Sequence, residues 1–183
     1  MPSLTDVLPA LQRRGPDATF THTERVADGA TVSFAAAALS LRGTAGPNER
    51  VEVAPRLAQS STLLLLNGEI YDGLPTARAE GDERGCGGDR EIQPDDHGVG
   101  KTSSGPVPSD TVRLHAALAG ALDGGDDPLE LLDGLRGPWT VVVWHAPTKR
   151  LYFGRDVIGR RSLLLARSGD GRRLVLTSAA PGP

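Results

Sequence analysis

The hydrophobic pattern of the chain changes period at Gly137-Pro138, and this change constrains the fold more than any other feature. Short β-type runs follow the pair, separated by clusters rich in Pro, Gly, Ser and Asp. The runs are Trp139 to Trp144, Leu151 to Gly154, Leu163 to Arg167 and Leu174 to Thr177. Such spacing predicts a meander of antiparallel hairpins. Because the runs are apolar on both faces, we expect sheets packed face to face and covered by helices.

Helical periodicity marks three segments outside this block. The first starts near Leu4 and ends at Gly15-Pro16, the second runs from the Ser109-Asp110 cap to Gly124-Gly125, and the third starts at Asp127. Two apolar runs, Thr31 to Leu41 and Leu63 to Leu66, are typical of buried strands, although the alanines of the former are also compatible with a helix. The residues alone therefore predict an α+β fold with antiparallel sheets.

Residues 78–108 differ from the rest of the chain in composition. They consist almost entirely of Gly, Asp, Glu, Arg, Ser and other small or polar residues, and they contain Cys86 and His97. A segment with so few large apolar side chains cannot offset its ordering entropy, so we expect a disordered insertion. Neither Cys86 nor His97 has a partner at metal-ligand spacing, so no metal site is predicted. The rest of residues 1–183 is long enough for one well-buried core, which predicts a single domain.

Charge and composition exclude several classes of protein. The formal net charge is −3, and the arginines are scattered rather than arranged in a basic stripe, which argues against a nucleic-acid partner. Leu63 to Leu66 is too short to span a bilayer, so no membrane association is expected. A single cysteine excludes an internal disulfide and fits a reducing compartment, which predicts a cytoplasmic location.

Asn67-Gly68 directly follows the apolar run Leu63 to Leu66 and has two interpretations. Asn-Gly pairs are common in tight turns because Gly, and to a lesser degree Asn, tolerates positive φ. Alternatively, the Asn67 amide and the Gly68 backbone N–H could both point at one developing negative charge and form an oxyanion site. Taken alone, the dipeptide favours the turn, because Asn-Gly is a common hairpin signal.

The order of several short motifs bears on this choice. They are Arg13-Arg14-Gly15-Pro16-Asp17, Leu41-Arg42-Gly43, the Asn67 segment, Ser109-Asp110-Thr111, Gly137-Pro138-Trp139, Phe153-Gly154-Arg155-Asp156 and Gly159-Arg160-Arg161-Ser162-Leu163-Leu164. In this order they resemble the class II glutamine amidotransferases, which are N-terminal-nucleophile domains found at the start of asparagine synthetases. The Leu-Arg-Gly and Gly-Pro-Trp motifs resemble most the asparagine synthetase domain-containing branch of that family. The resemblance covers the chain except roughly residues 75–108.

The resemblance implies a fold and a set of site residues. The fold would be a four-layer α-β-β-α sandwich of two mainly antiparallel sheets. Asn67 and Gly68 would form the oxyanion hole, Glu69 would line the pocket, and Asp110 would hold the α-ammonium of glutamine. Arg42 is the nearest candidate for gripping the α-carboxylate. No cofactor is expected in this domain, because ATP and Mg would act only in a synthetase domain.

The catalytic nucleophile of the family is not found among these motifs. Class II amidotransferases attack glutamine with a cysteine at the mature N-terminus, whose own α-amine serves as base. This sequence begins Met1-Pro2-Ser3, so the cysteine and the opening strand that carries it are expected to be missing, and Cys86 cannot replace it. The synthetase domain is also expected to be absent, so it would be a partner in cis if the full protein has one. Two functions remain: an amidotransferase domain, inactive as given, and a non-catalytic regulatory or scaffolding domain.

Overall fold

The structure is a computed structural model that describes residues 2–26, 29–38, 60–75 and 109–180. In these ranges the helices are α1 (Leu4–Arg14), α2 (Asp110–Gly124) and α3 (Pro128–Gly134). The strands are β1 (Ala18–Arg25), β2 (Thr31–Ala38), β3 (Thr62–Gly68), β4 (Trp139–His145), β5 (Arg150–Arg155), β6 (Leu164–Arg167) and β7 (Leu174–Thr177). The predicted α+β class is thus confirmed. No helix in the described ranges has the length and apolar content needed to cross a bilayer.

The helices begin where their capping residues predict. Ser109 Oγ accepts the Val112 backbone N–H at 3.4 Å at the start of α2. Asp127 Oδ1 accepts the Leu129 N–H at 2.9 Å before α3, and Pro128 occupies the first helical turn. Each cap satisfies a backbone donor that has no partner inside the helix. The three predicted helices are therefore present with nearly the predicted bounds.

The described strands form three antiparallel sheets. Their orders are β1-β2, β3-β4-β5 and β6-β7. Two hairpins of the predicted meander, β4-β5 and β6-β7, are present, but β5 does not pair with β6 in the part of the chain that the structure describes. Directly after β5, the Asp156 carboxylate accepts the backbone N–H groups of Ile158, Gly159 and Arg160. This turn ends the pairing with β4 and leads the chain to a separate hairpin.

One face of the three-stranded sheet packs against α2. Leu64 of β3 and Val141 and Val143 of β4 lie in one buried cluster with Leu114 and Leu118 of α2. All five side chains are fully buried. Since side chains of a strand alternate between faces, this cluster identifies the helix-covered face.

The opposite face packs against the β1-β2 sheet. Leu63 and Trp144 form a second buried cluster with Phe34 of β2. A hydrogen bond also joins the sheets, because Trp144 Nε1 donates to Glu24 Oε2 at 2.9 Å. Helix α1 contacts β2. These contacts describe a mixed sandwich of helices and sheets.

Strand β1 was missed by the sequence analysis. Its residues, ATFTHTER, alternate between half-buried and exposed positions, with Phe20, His22 and Glu24 on the inner side. The run contains few aliphatic residues, so its period of two was hidden by polar side chains. Its β-branched threonines were the available signal.

Several predictions concern residues outside the described ranges. These are Arg42, the end of the predicted strand after Ala38, and the 78–108 insertion with Cys86 and His97. They stay predictions.

Candidate functional site

Asn67 and Gly68 are the last two residues of β3 and pair with Thr140 and Trp139 of β4. The chain does not reverse at this point. It continues alongside the segment before β4, where the Tyr71 N–H donates to the Arg136 carbonyl at 2.7 Å. The interpretation of Asn67-Gly68 as a hairpin turn is therefore wrong, and the glycine needs another explanation.

Close approach of two backbones explains Gly68. Its φ is +140°, and a Cβ built on it would lie 1.9 Å from the Pro138 carbonyl oxygen. Gly137 lies equally close to the end of β3. Its φ is +134°, and a Cβ built on it would lie 2.3 Å from the Glu69 carbonyl oxygen. The Glu69 N–H donates to the Pro138 carbonyl at 3.0 Å across the same contact. Two glycines thus fix the end of β3 against the entry to β4.

The Asn67 side chain lies on the face of β3 that is directed toward the β1-β2 sheet. It shares this face with Leu63 and Leu65, both of which belong to the cluster between the sheets. The Asn67 Nδ2 atom is buried and has no hydrogen-bond acceptor among the described residues. An unsatisfied buried donor costs about 1–3 kcal/mol. Such a donor is therefore suited to a ligand oxygen that would satisfy it.

Asp110 reaches the same strand end from α2. Its Oδ2 accepts the backbone N–H of Ile70 at 3.0 Å, and the side chain is half-buried. Because α2 covers the opposite face of the sheet, Asp110 and Asn67 approach the strand end from different faces. Ile70 itself is buried, whereas the neighbouring Glu69 is exposed.

Four of the five predicted site residues are therefore brought to one place. Asn67, Gly68 and Glu69 are consecutive, and Asp110 is joined to the next residue by a hydrogen bond. The fifth, Arg42, lies outside the described residues. The arrangement can offer an amide N–H to a carbonyl oxygen and a carboxylate oxygen to a cation.

Thr140, at this strand end, was not singled out from the sequence, whereas Arg160-Arg161 was interpreted as part of a turn anchor rather than as a ligand-facing cluster. Thr140, which is opposite Asn67 and buried, donates from Oγ1 to the Arg161 carbonyl oxygen at 3.1 Å. Arg161 Nε is buried and has no acceptor in the described parts of the chain. Only the register of β3 on β4 reveals this neighbourhood, and a single sequence does not contain that register.

In the sequence, the glycines around Arg155-Asp156 and Arg160-Arg161 favour ion pairs that anchor a turn over a ligand-facing charged cluster. Burial raises the pKa of the Asp156 carboxyl, but backbone N–H groups of Arg160, Ile158 and Gly159 outweigh burial and hold the pKa below its ordinary value of 3.8. Arg160 Nε lies 3.8 Å from Asp156 Oδ1, a partly exposed ion pair that adds little. The structure agrees with a structural role for Asp156.

In the sequence, His22, His115 and His145 are isolated, with no Asp or Glu placed to orient them, but the structure gives His145 an acidic partner. Its Nε2 lies 3.4 Å from Asp123 Oδ1, and its Nδ1 lies 2.8 Å from Thr148 Oγ1. His145 pairs with Thr62, at the end of β3 opposite Gly68. The pair is therefore remote from the candidate site.

Comparison with known proteins gives a consistent group of relatives. No family model matches the chain. The chain is similar to proteins named asparagine synthetase domain-containing protein 1. Identity is 29% over 164 residues for Gallus gallus (88% of this chain, 20% of the relative). It is 28% over 175 residues for Bos taurus (94% and 21%) and 27% over 173 residues for Homo sapiens (94% and 21%).

These similarities support a relationship to the asparagine synthetase domain-containing proteins. The chain spans about a fifth of the length of these relatives.

Proposed function

We propose that this chain is the glutamine-binding domain, of the type 2 amidotransferase class, of an asparagine-synthetase-like protein. The observation that carries the proposal is the buried Asn67 Nδ2, which has no acceptor among the described residues. Similarity to asparagine synthetase domain-containing proteins supports the protein class. A cytoplasmic location and a synthetase domain in cis, with ATP and Mg acting there, belong to the same proposal.

The four-layer N-terminal-nucleophile fold is part of this proposal. Its support is the chain of contacts from α2 through the three-stranded sheet to β1-β2 and then α1. In such a sandwich the Asn67 side chain would lie between the two sheets. A ligand bound there would reach groups of the strand and of the start of α2.

Glutamine matches the groups at this strand end. Asn67 Nδ2 would donate to its carboxamide oxygen, together with the Gly68 backbone N–H. The Asp110 carboxylate would accept from its α-ammonium with the oxygen not used by Ile70, a charge-assisted hydrogen bond. Glu69, exposed beside them, would line the pocket.

Hydrolysis requires a nucleophile that these residues do not provide. The class uses an N-terminal cysteine, and the cysteine of this sequence is Cys86. The chain as given would therefore bind glutamine without cleaving it. The alternative is a non-catalytic regulatory domain, and a binding measurement applies to both.

Calorimetric titration of the purified chain with L-glutamine tests the proposal. Asp110→Asn keeps an acceptor for the Ile70 N–H but loses the charge, and it should weaken binding by about 1.5–3 kcal/mol. Asn67→Ala should weaken binding by about 1 kcal/mol, the net value of a neutral hydrogen bond. Asp133→Asn, an exposed carboxylate on α3, is the matched control and should leave affinity unchanged.

The proposal fails if the unmodified chain does not bind glutamine. It also fails if Asn67→Ala and Asp110→Asn bind glutamine as tightly as the control does. Thermal unfolding of each variant separates loss of binding from loss of the fold.

A further inference from the structure

The chain after β5 forms an exposed arm that combines apolar and basic side chains. This basic arm, residues 155–177, contains the turn at Asp156 and the β6-β7 hairpin. It has six arginines and two aspartates, a formal charge of +4 in a chain whose net charge is −3. Its exposed large apolar residues are Val157, Ile158, Leu164, Leu165 and Leu174. Because apolar residues separate the arginines, the arm is amphipathic rather than a continuous basic stripe.

One face of the β6-β7 hairpin lies outside both hydrophobic clusters of the described residues. Leu165 is paired with Leu176 on this face, and Arg167 is paired with Leu174. Directly opposed residues share a face, so these four side chains form one surface. Leu165 is 55% exposed and Leu174 is 47% exposed. A two-stranded hairpin is marginally stable by itself in water, so we expect another surface to cover this face.

The end of α2 and helix α3 carry the opposite charge. This acidic corner, residues 123–133, contains five carboxylates and no Lys or Arg, and all five acidic residues are exposed. Asp126, Glu130 and Asp133 have no ion pair in the described ranges. Leu129 is 54% exposed among them. The acidic corner thus combines an apolar side chain with negative charge, whereas the basic arm combines apolar side chains with positive charge.

A groove adjoins the acidic corner. Its volume is about 420 Å³, and the residues that line it include Asp126, Leu129, Arg150 and Tyr152. Arg150 is the first residue of β5, and Arg155 is the last. At about 3.4 Å per residue, the two ends of β5 are about 17 Å apart. The groove and the start of the basic arm therefore lie at opposite ends of one strand.

We propose that the basic arm of one copy of this chain docks on the acidic corner of a second copy. Leu165 and Leu174 enter the groove beside Leu129, and the surrounding charges are complementary. The charges determine the choice of partner, because each surface finds its complement on another copy. Since the two surfaces differ, the interface is heterologous, and its repetition gives rings or open filaments. The inference is independent of glutamine binding, because neither surface contains Asn67 or Asp110.

Sedimentation velocity of the purified chain over a concentration series tests the proposal. The mean mass should rise with protein concentration. At a fixed protein concentration it should fall when salt is raised from about 0.1 M to about 1 M, because the Debye length shrinks from about 10 Å to about 3 Å.

Two variants each disable one surface. The arm variant Leu165→Ser/Arg167→Ser and the corner variant Leu129→Ser/Glu130→Ser each lose one apolar side chain and one charge. Each variant alone should self-associate at least about 10-fold more weakly than the unmodified chain. An equimolar mixture should form a dimer, because the corner variant keeps an intact arm and the arm variant keeps an intact corner. This dimer should not grow further, since its two remaining surfaces are disabled.

The matched control is Leu164→Ser/Arg25→Ser. Leu164 is exposed but lies on the other face of the hairpin, opposite Thr177, and Arg25 is exposed at the end of β1. The control should self-associate as the unmodified chain does. Circular dichroism establishes that each variant is folded, and Leu174→Ser/Arg172→Ser is the second arm variant if the first does not fold.

Several outcomes would overturn the inference. A chain that stays monomeric at every concentration would exclude a second copy as the partner. Binding of that monomer to phosphatidylserine–phosphatidylcholine vesicles or to poly-L-glutamate, lost in the arm variant, would then identify an anionic lipid surface or an acidic polypeptide instead. Undiminished self-association of the corner variant would indicate contact between two arms. A mixture that stays monomeric, or an equal loss in the matched control, would exclude contact between arm and corner.

Discussion

Gly68 and Gly137 hold two backbone segments closer together than any side chain would permit. A Cβ at either position would lie within 2.3 Å of the opposing carbonyl oxygen. Glycine at these positions therefore reflects the contact between chain segments about seventy residues apart. The candidate site depends on this contact, because Asn67 precedes it directly.

Gly68→Ala should consequently lower the free energy of unfolding by about 3 kcal/mol or more, through the strained φ and the clash with Pro138. Gly120→Ala is the control, since Gly120 lies inside α2 with nothing within 4 Å of its added Cβ. That control should raise stability by roughly 0.5–1 kcal/mol. Denaturant titration measures both, and equal effects would contradict the close-contact explanation.

Asp156 predicts a pH dependence of stability. The pKa of its carboxyl is below 3.8 in the folded chain, where burial is outweighed by the bonds from Arg160, Ile158 and Gly159. A lowered folded-state pKa stabilises the fold above the unfolded-state value, and this stabilisation is lost as pH falls through the folded-state value. The thermal midpoint of Asp156→Ala should therefore lie below that of the unmodified chain at neutral pH. The difference should shrink below pH 3.8. A constant difference at all pH values would assign the effect to packing instead.

The contact between the β1-β2 sheet and β4 includes one hydrogen bond to a charged group. Trp144 is buried and donates to Glu24, whereas the buried Trp139 has no acceptor for its Nε1 among the described residues. The two tryptophans lie on opposite faces of β4. Comparing a Phe substitution at each position therefore separates the effect of the hydrogen bond on stability from the effect of ring volume.

Trp144→Phe should therefore destabilise the fold more than Trp139→Phe does, by about 1.5–3 kcal/mol, because it leaves the Glu24 carboxylate unpaired. The Trp144→Phe/Glu24→Gln double variant should have a higher free energy of unfolding than Trp144→Phe, because Glu24→Gln removes the unpaired carboxylate charge. Chemical denaturation would be measured for Trp139→Phe, Trp144→Phe, Glu24→Gln and the Trp144→Phe/Glu24→Gln double variant. The last three form a double-mutant cycle with the unmodified chain. Equal losses in the two Phe variants would indicate that only ring volume matters.

In this chain, periodicity and capping residues predict the helices and strands well. They do not predict how the strands are aligned with one another or how the helices are placed on them. The helices α1 and α2 were recognisable because each has an apolar face, and β4 was recognisable because it is apolar and buried on both faces. β1 was hidden because its threonines and histidine conceal the alternation. Asn67 and Asp110 could be proposed as site residues, but the bond of Asp110 to Ile70 could not, since it depends on how α2 is placed on β3. Thr140, and its hydrogen bond to the Arg161 carbonyl, could not be predicted for the same reason.

The whole chain is expected to bind glutamine but not to hydrolyse it. The purified chain should release no ammonia from glutamine, because positioning groups without a nucleophile give several orders of magnitude less turnover than an intact site. The measurement is ammonia and glutamate release with time. Turnover that survives Cys86→Ala would contradict the expectation. Addition of an opening strand that begins with cysteine should create activity, which Asn67→Ala should then reduce about 10²- to 10³-fold.

The bond between Ile70 N–H and Asp110 also makes one backbone amide a reporter of occupancy. Its proton is shared with a carboxylate that the proposed ligand would also engage. An approaching ammonium group draws electron density from that carboxylate, so the magnetic environment of the Ile70 amide changes when the ligand arrives. The amide resonance of Ile70 in an isotope-labelled sample would then follow saturation directly, without turnover and without an added probe.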